Sequence, residues 1–425
     1  MRLFCIFLVQ RTSKLPAKQV YRLNVNQMTA KSNRLFFIDA MRAWAILMML
    51  QGHFIDGLLD PVFRDSSNPV YNVWLYFRGI TAPVFFTVSG FIFTYLLIRV
   101  PENGMDNPRV AKGIRRGLQL LAIGYLLRLN LGGLLKGEIY NAFYLVDVLH
   151  CIGLSILGLI SVYVLTSKRK KYVFPLVLVG ITLLLFLFER VYKDWSFAFL
   201  PNFIANYFTK ANGSVFTIIP WFGYATLGAF ISVLFTRFKN YKYLYPAAIS
   251  IALGVGYLLI YQSSNAFAGL YKWTGLELFN LILSNNYLFI RLGNVFVVFA
   301  VFMVLRQFMT NKTVLKIGAS TLSIYVIHFI ILYGSFTGLG LYRFFNHSLS
   351  PEIVIPGALA FMIACSFLAL KYNQHEANIK SQIGLGISYT KSQFIELKEI
   401  SIPVLREIYI RVRLFLRRVL RTVRS

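Results

Sequence analysis

Ten apolar segments, each about long enough to cross a bilayer, recur along this sequence and leave it few folds to choose from. They cover about 35–55, 79–98, 116–132, 145–167, 172–190, 215–235, 244–261, 287–306, 317–335 and 353–371. At 1.5 Å per residue, about 20 residues of helix match a hydrocarbon core of roughly 30 Å. Inside lipid the backbone polar groups must be satisfied internally. The fold class expected is therefore an all-α polytopic membrane protein. Composition agrees: 57% of the 425 residues are hydrophobic and 39 are Phe, with a mean hydropathy of +0.61, too apolar for a chain that must cover its surface with polar groups. Cys5, Cys151 and Cys365 are scattered, so neither a disulfide framework nor a metal cluster is expected.

Charge gives the segments an orientation. A net charge of +28 suggests nucleic acid in a soluble protein, but in a membrane protein the first question is which side the cations occupy. They alternate strictly. Basic stretches follow the second, fourth, sixth, eighth and tenth segments, for example SKRKK and TRFKNYK, whereas Asp56, Asp60, Asp65, Glu138, Asp194 and Glu277 lie in the opposite loops. By the positive-inside rule both termini are cytoplasmic.

Three regions follow. Residues 1–33 read as a cytoplasmic leader. The apolar run Leu3 to Val9 lacks a small-residue cleavage site, which argues against a signal peptide, and Met28 is an alternative start. Residues 34–372 form the membrane domain. Residues 373–425 form a basic amphipathic tail carrying Arg406, Arg411, Arg413, Arg417, Arg418, Arg421 and Arg424. The tail reads either as a surface helix on anionic lipid or as a solvated extension. No aromatic stacking pattern accompanies its charge, so nucleic acid is not an expected partner.

The first segment is the most informative. Arg42 and His53 stand about 16 Å apart along a helix and about 20° apart around it, so they share one stripe. Asp39, three residues before Arg42, lies on the same face as a structural partner for the guanidinium. Ionisable groups inside an apolar span are costly and usually functional. A simpler reading treats Asp39, Arg42 and His53 as separate interfacial anchors. It leaves their common stripe unexplained.

The Arg-x10-His spacing of Arg42 and His53, within IDAMRAWAILMMLQGH, resembles the first helix of the membrane acyltransferases called acyltransferase 3. RGITAPVFFTVSGFIFTYLL is similar to the second helix of that group and closer still to the catalytic domain of heparan-α-glucosaminide N-acetyltransferase. RRGLQLLAIGYLL, DVLHCIGLSIL, IIPWFGYATLGAFI and LSIYVIHFIILYG look like later helices of the same group. The resemblance spans roughly Asn33 to Tyr372. It implies transfer of an acyl group, usually acetyl, from cytoplasmic acetyl-CoA or another acyl-CoA to a carbohydrate hydroxyl or amine at the far face. A bacterial inner membrane is the setting it suggests. No hydrolase-like domain is expected after the tenth helix, and the basic tail matches the pattern of neither group.

Such a reaction gives the charged residues expected roles. A CoA donor needs cations at the inner mouth and a narrow channel between the helices. Arg42, Arg115 and Arg116 are the candidates for its phosphates, because a guanidinium can bond two oxygens at once. For Arg115 and Arg116, plain positive-inside anchoring is an equal reading. Arg78, Arg128 and Arg291 gather near the outer ends of their segments with Asp147 and His150, a set that forms a glycan or glycolipid acceptor site if it faces inward. Asp147 and His150, three apart on one helical face, are expected to touch. His53 is the candidate base, since an unperturbed imidazole titrates near pH 6.5. It either deprotonates the acceptor directly or carries the acyl group itself. His328 is read as a structural histidine, Ser89 and Gly90 as a site of close helix packing rather than a nucleophile, and Trp221 as an interfacial anchor. No metal is expected. The competing class is a proton-coupled transporter or flippase for a glycolipid or small solute.

Overall fold

A computed structural model describes residues 35–422, although the side chains of part of the last helix, including Arg411, Arg417, Arg418 and Arg421, are outside the description. The leader, the alternative start at Met28, and Arg424 lie outside the described residues. The chain divides into two compact units, residues 1–366 and 367–425.

Among the described residues the structure is helical, with isolated backbone bridges in place of strands. The principal helices are α1 (Phe36–Leu58), α2 (Pro69–Leu97), α3 (Pro108–Arg128), α4 (Val148–Thr166), α5 (Val173–Leu187) and α6 (Ile218–Arg237). They continue with α7 (Leu244–Tyr257), α8 (Ser263–Thr274), α9 (Tyr287–Val304), α10 (Lys312–Ala319), α11 (Thr321–Tyr333) and α12 (Pro351–Thr422). Within the second unit the helix continues, with Lys380 and Glu376 paired at 2.5 Å one turn apart.

Six of the described helical stretches are long and apolar enough to cross a membrane: α2, residues 141–166, α6, α7 with α8, residues 287–307, and the start of α12. A seventh exists if α10 and α11, bent by 71°, make one broken span. The segments at 35–55, 116–132 and 172–190 are helical but fall short of that standard. Asp39, Arg42, Gln51 and His53 dilute α1, α3 carries five cations, and α5 is 15 residues long.

Two helices begin earlier than their apolar segments. The Asn68 side chain accepts from the Val70 amide at 2.9 Å with Pro69 in the first helical position, which starts α2 ten residues ahead of the expected 79. Asn107 and Pro108 do the same for α3, Asn107 accepting from the Arg109 amide at 2.8 Å. An asparagine cap followed by proline at N1 favours helix initiation independently of hydropathy.

Packing is tightest where α6 crosses α2. A Cβ at Gly90 would collide with the Ala225 carbonyl, and one at Gly228 with the Thr87 carbonyl. Helices without side chains at their crossing approach until backbones touch, which is how dispersion replaces the hydrophobic effect inside a membrane. Beside Gly90, Ser89 donates to its own helix at the Phe85 carbonyl, 2.7 Å away. At the other end of α1, Gly318 brings α10 against the Asp39 carbonyl in the same manner.

Overpacking such a contact costs about 1–3 kcal/mol. Gly90→Ala and Gly228→Ala are therefore expected to lower the unfolding temperature in detergent. Gly180→Ala, where an added Cβ meets nothing within 4 Å, should leave it unchanged or raise it through helix propensity. Equal responses at all three positions would contradict the backbone contact.

Candidate active site

The end of α1 that carries His53 is tied to its neighbours by backbone. Leu59 bridges to Leu349, and Asn130, just after α3, bridges to Phe336, just after α11. Gly334 makes the second bridge possible. Its left-handed φ of 70° ends α11 immediately after Tyr333, and a Cβ there would strike the backbone of Leu339 and Gly340.

This closure places Tyr333 beside His53, with Nδ1 of the imidazole 2.9 Å from the phenolic oxygen. His328 lies edge-on to His53, ring centres 5.3 Å apart, and Tyr325 packs on His328 at 4.8 Å. His328 is fully buried, and neither ring nitrogen has a well-aligned hydrogen-bond partner among the described residues.

Two cavities meet at the His53–Tyr333 pair. One, about 380 Å³, is lined by His53, Arg128, Asp147, Tyr325, Tyr333 and Ser335 among others. The second, about 390 Å³, is lined by His53, Asp56, Arg78, Lys210, Trp221, Arg291 and Tyr333. Val148, Val215 and Phe216 also border both. His53 and Tyr333 thus form part of the partition between two compartments that each carry charged side chains in a mostly apolar lining.

The charges around these cavities are largely answered. Arg128 grips Asp147 with both arms of its fork, Nε to Oδ2 at 2.6 Å and Nη2 to Oδ1 at 2.7 Å, and donates from Nη1 to the Ala142 carbonyl at 2.9 Å. Arg78 pairs with Asp56 and lies over the Trp74 ring, whose indole N–H in turn satisfies Gln51 at 2.6 Å. Arg291 stacks over Tyr287 at 5.1 Å, and Tyr287 donates to the buried Glu189 at 2.9 Å. Outside the apolar segments, burial and a 2.6 Å hydrogen bond with Tyr125 push the Tyr207 phenol up, so it stays protonated.

The remaining candidates sit elsewhere. His150 is fully buried, borders neither cavity, and accepts at Nδ1 from the backbone amide of Asp147 at 3.1 Å. The Asp147 carboxylate also holds Arg128, and the expected Asp147–His150 contact is a capping box in which each side chain meets the other residue's backbone amide. Arg42 pairs with Asp39 at 3.7 Å and donates to Thr321 at 3.0 Å, where α11 begins after the sharp bend. Arg115 and Arg116 are exposed on α3. None of these three arginines lines either cavity.

Sequence reasoning missed Tyr333, Tyr325, Asp56 and Lys210 as lining residues. Tyr325, Phe329 and Tyr333 recur every fourth residue, and their rings stack in succession. Two phenol hydroxyls on one stripe of an otherwise apolar helix were a readable signal. Lys210 lies in an irregular connection where no periodicity operates. Among the described residues no group of three His, Cys, Asp or Glu side chains converges to hold a metal.

Residues 34–265 match a family model described as the catalytic domain of heparan-alpha-glucosaminide N-acetyltransferase. The match covers more than half of the chain and includes His53, Asp56, Arg78, Arg128, Asp147 and Lys210, while Arg291, Tyr325, His328 and Tyr333 lie beyond it. No protein of curated function matches the chain.

Removing one member of a mostly buried ion pair strands the other, at a cost of about 3 kcal/mol. Asp147→Asn and Arg128→Gln are each expected to destabilise the protein, and the double variant by clearly less than the two effects combined. Unfolding in detergent measures this cycle. Strict additivity would show that the two groups do not depend on each other.

Proposed function

Because the chain belongs to the heparan-alpha-glucosaminide N-acetyltransferase catalytic family, we propose that it moves an acyl group, most simply acetyl, from cytoplasmic acyl-CoA to a carbohydrate hydroxyl or amine across the membrane. Its family and its apolar helices both indicate an integral membrane protein. On this reading α1, α3 and α5 join the more apolar helices to make ten passes. The basic loops put both termini in the cytoplasm, and His53 then lies toward the extracytoplasmic side of a bacterial inner membrane. The observation that carries the reading is the position of His53 and Tyr333 between two cavities that both contain charged side chains.

Donor and acceptor approach that partition from different directions. The CoA phosphates engage Arg42, Arg115 and Arg116, and the pantetheine arm has about 16 Å to cover along α1 through the channel. A glycan or glycolipid acceptor occupies the cavities lined by Arg78, Arg128 and Arg291. Arg291 and Lys210 have no acidic partner within ion-pair distance among the described residues, which favours an acceptor bearing negative charge.

The hydrogen bond to Tyr333 determines which form of His53 can act. For Nε2 to accept a proton, Nδ1 must carry the ring hydrogen and donate it to the Tyr333 oxygen. The acceptor oxygen or nitrogen then attacks the thioester carbonyl as its proton passes to Nε2. Collapse of the tetrahedral intermediate breaks the carbon–sulfur bond, and the imidazolium returns the proton to the departing CoA thiolate. The Tyr333 hydroxyl hydrogen stays available to a developing oxyanion.

Transfer of radiolabelled acetyl from acetyl-CoA into membrane glycans tests the proposal. His53→Ala at matched protein level is expected to lose about 10²–10⁴-fold in rate. Tyr333→Phe, which keeps the ring but removes the acceptor for Nδ1–H, is expected to lose about tenfold. Equal labelling by wild type and His53→Ala would remove His53 from the chemistry. No labelling with any acyl donor, from protein that acyl-CoA also fails to protect against heat, would overturn the transferase reading and favour a transporter.

A further inference from the structure

A cavity larger than either of those at His53, and not lined by that residue, is almost entirely apolar. It is a wedge of about 530 Å³ between α6 and α7, floored by α9. The wedge exists because α6 is drawn against α2 by the Gly90 and Gly228 contacts, whereas α7 packs on α9. Small side chains keep it open: Ala248 and Ala252, one turn apart on α7, face Phe235 on α6 and Phe299 on α9 across the gap.

Its length and the charge at one end of it identify an occupant. Along α7 the lining runs from Leu244 to Val255, about 16 Å of helix, or close to half of a hydrocarbon core of roughly 30 Å. That is the depth of one leaflet. Basic side chains gather at the end where α6 stops and α7 starts. There Arg237 lies over the ring of Phe238, a lining residue, at 5.9 Å. Arg306 donates to the carbonyl of Met303, another lining residue, at 2.8 Å, and covers the ring of Tyr245 at 4.2 Å. Lys239 and Lys242 share the connection between α6 and α7, and no acidic residue occurs in 218–275 or 287–316. Neither Arg237 nor Arg306 forms an ion pair among the described residues.

We propose that this wedge binds one acyl chain of an anionic phospholipid, with the headgroup phosphate held between Arg237 and Arg306. A leaflet-deep apolar slot matches a lipid chain, and two guanidinia, each resting against a lining residue at one end of it, match a phosphate in a way that a neutral or purely apolar occupant does not use. The site is separate from the His53 cavities and does not depend on the transferase reading.

The test is native mass spectrometry of the full chain released from nanodiscs containing equal amounts of phosphatidylglycerol and phosphatidylcholine. One phosphatidylglycerol per chain is expected to remain bound after bulk lipid is stripped. The Ala248→Phe, Ala252→Phe variant fills the slot and should lose it. Arg237→Gln with Arg306→Gln should leave the slot open and reduce the preference for phosphatidylglycerol by roughly tenfold. The arginine pair keeps the proposal testable if the filled variant does not fold. Equal retention of both lipids by the wild type, retention unchanged in the arginine pair, or a mass of two chains with no bound lipid would overturn it. The last result would mean that a second copy covers the wedge.

Discussion

A charge that cannot reach water has to be answered inside the bundle, and the region around His53 is arranged by that requirement. Arg128 and Asp147 come from the end of α3 and the start of α4, and their two-pronged contact fixes the wall of one cavity. Arg78 and Asp56 also pair, between α2 and α1 at the other cavity, but they are half-exposed to water, where a pair holds little, whereas Arg128 and Asp147 are mostly buried. In a low-dielectric setting neither partner of such a pair can be left alone cheaply. The buried Arg128–Asp147 pair therefore holds its two helix ends at set positions and keeps charge in the cavity wall. His53 sits at the junction, oriented by Tyr333.

The opposite requirement governs the middle of the bundle, where no charge is available and helices must touch. Gly90 and Gly228 let α2 and α6 meet backbone to backbone. This firm crossing lies near the middle of α2, while the same helix contributes Arg78 to the cavity at its beginning. A rigid crossing below and paired charges above are how a helical scaffold can present side chains with little freedom to drift. The 71° bend between α10 and α11 adds a third device. Arg42 reaches Thr321 at the start of α11, so α1 contacts that helix at both ends, through Thr321 at one and Tyr333 at the other.

Much of the fold was legible because a membrane allows so few solutions. Hydropathy located the helices, and the Arg42–His53 stripe pointed to α1 as the organising element. What hydropathy could not give were the starts of α2 and α3, which Asn68–Pro69 and Asn107–Pro108 set by capping chemistry. The site was less legible than the fold. Helical spacing put Asp147 beside His150, but it could not show Arg128, which reaches the same carboxylate from another helix with two hydrogen bonds. Tyr333 was hidden because its partnership spans 280 positions. Lys210 was hidden because an irregular loop carries no periodic signal.

The proposed acyl transfer stands or falls on whether it takes place at His53, between the two cavities. The most direct measurement is an experimental structure of the protein with a thioether analogue of acetyl-CoA in which the acyl carbonyl is retained. The expected result is that carbonyl carbon within about 3.5 Å of the acceptor atom, with His53 Nε2 directed at the acceptor and Nδ1 on Tyr333. An acyl group seated elsewhere, with the His53 imidazole touching neither ligand, would contradict it.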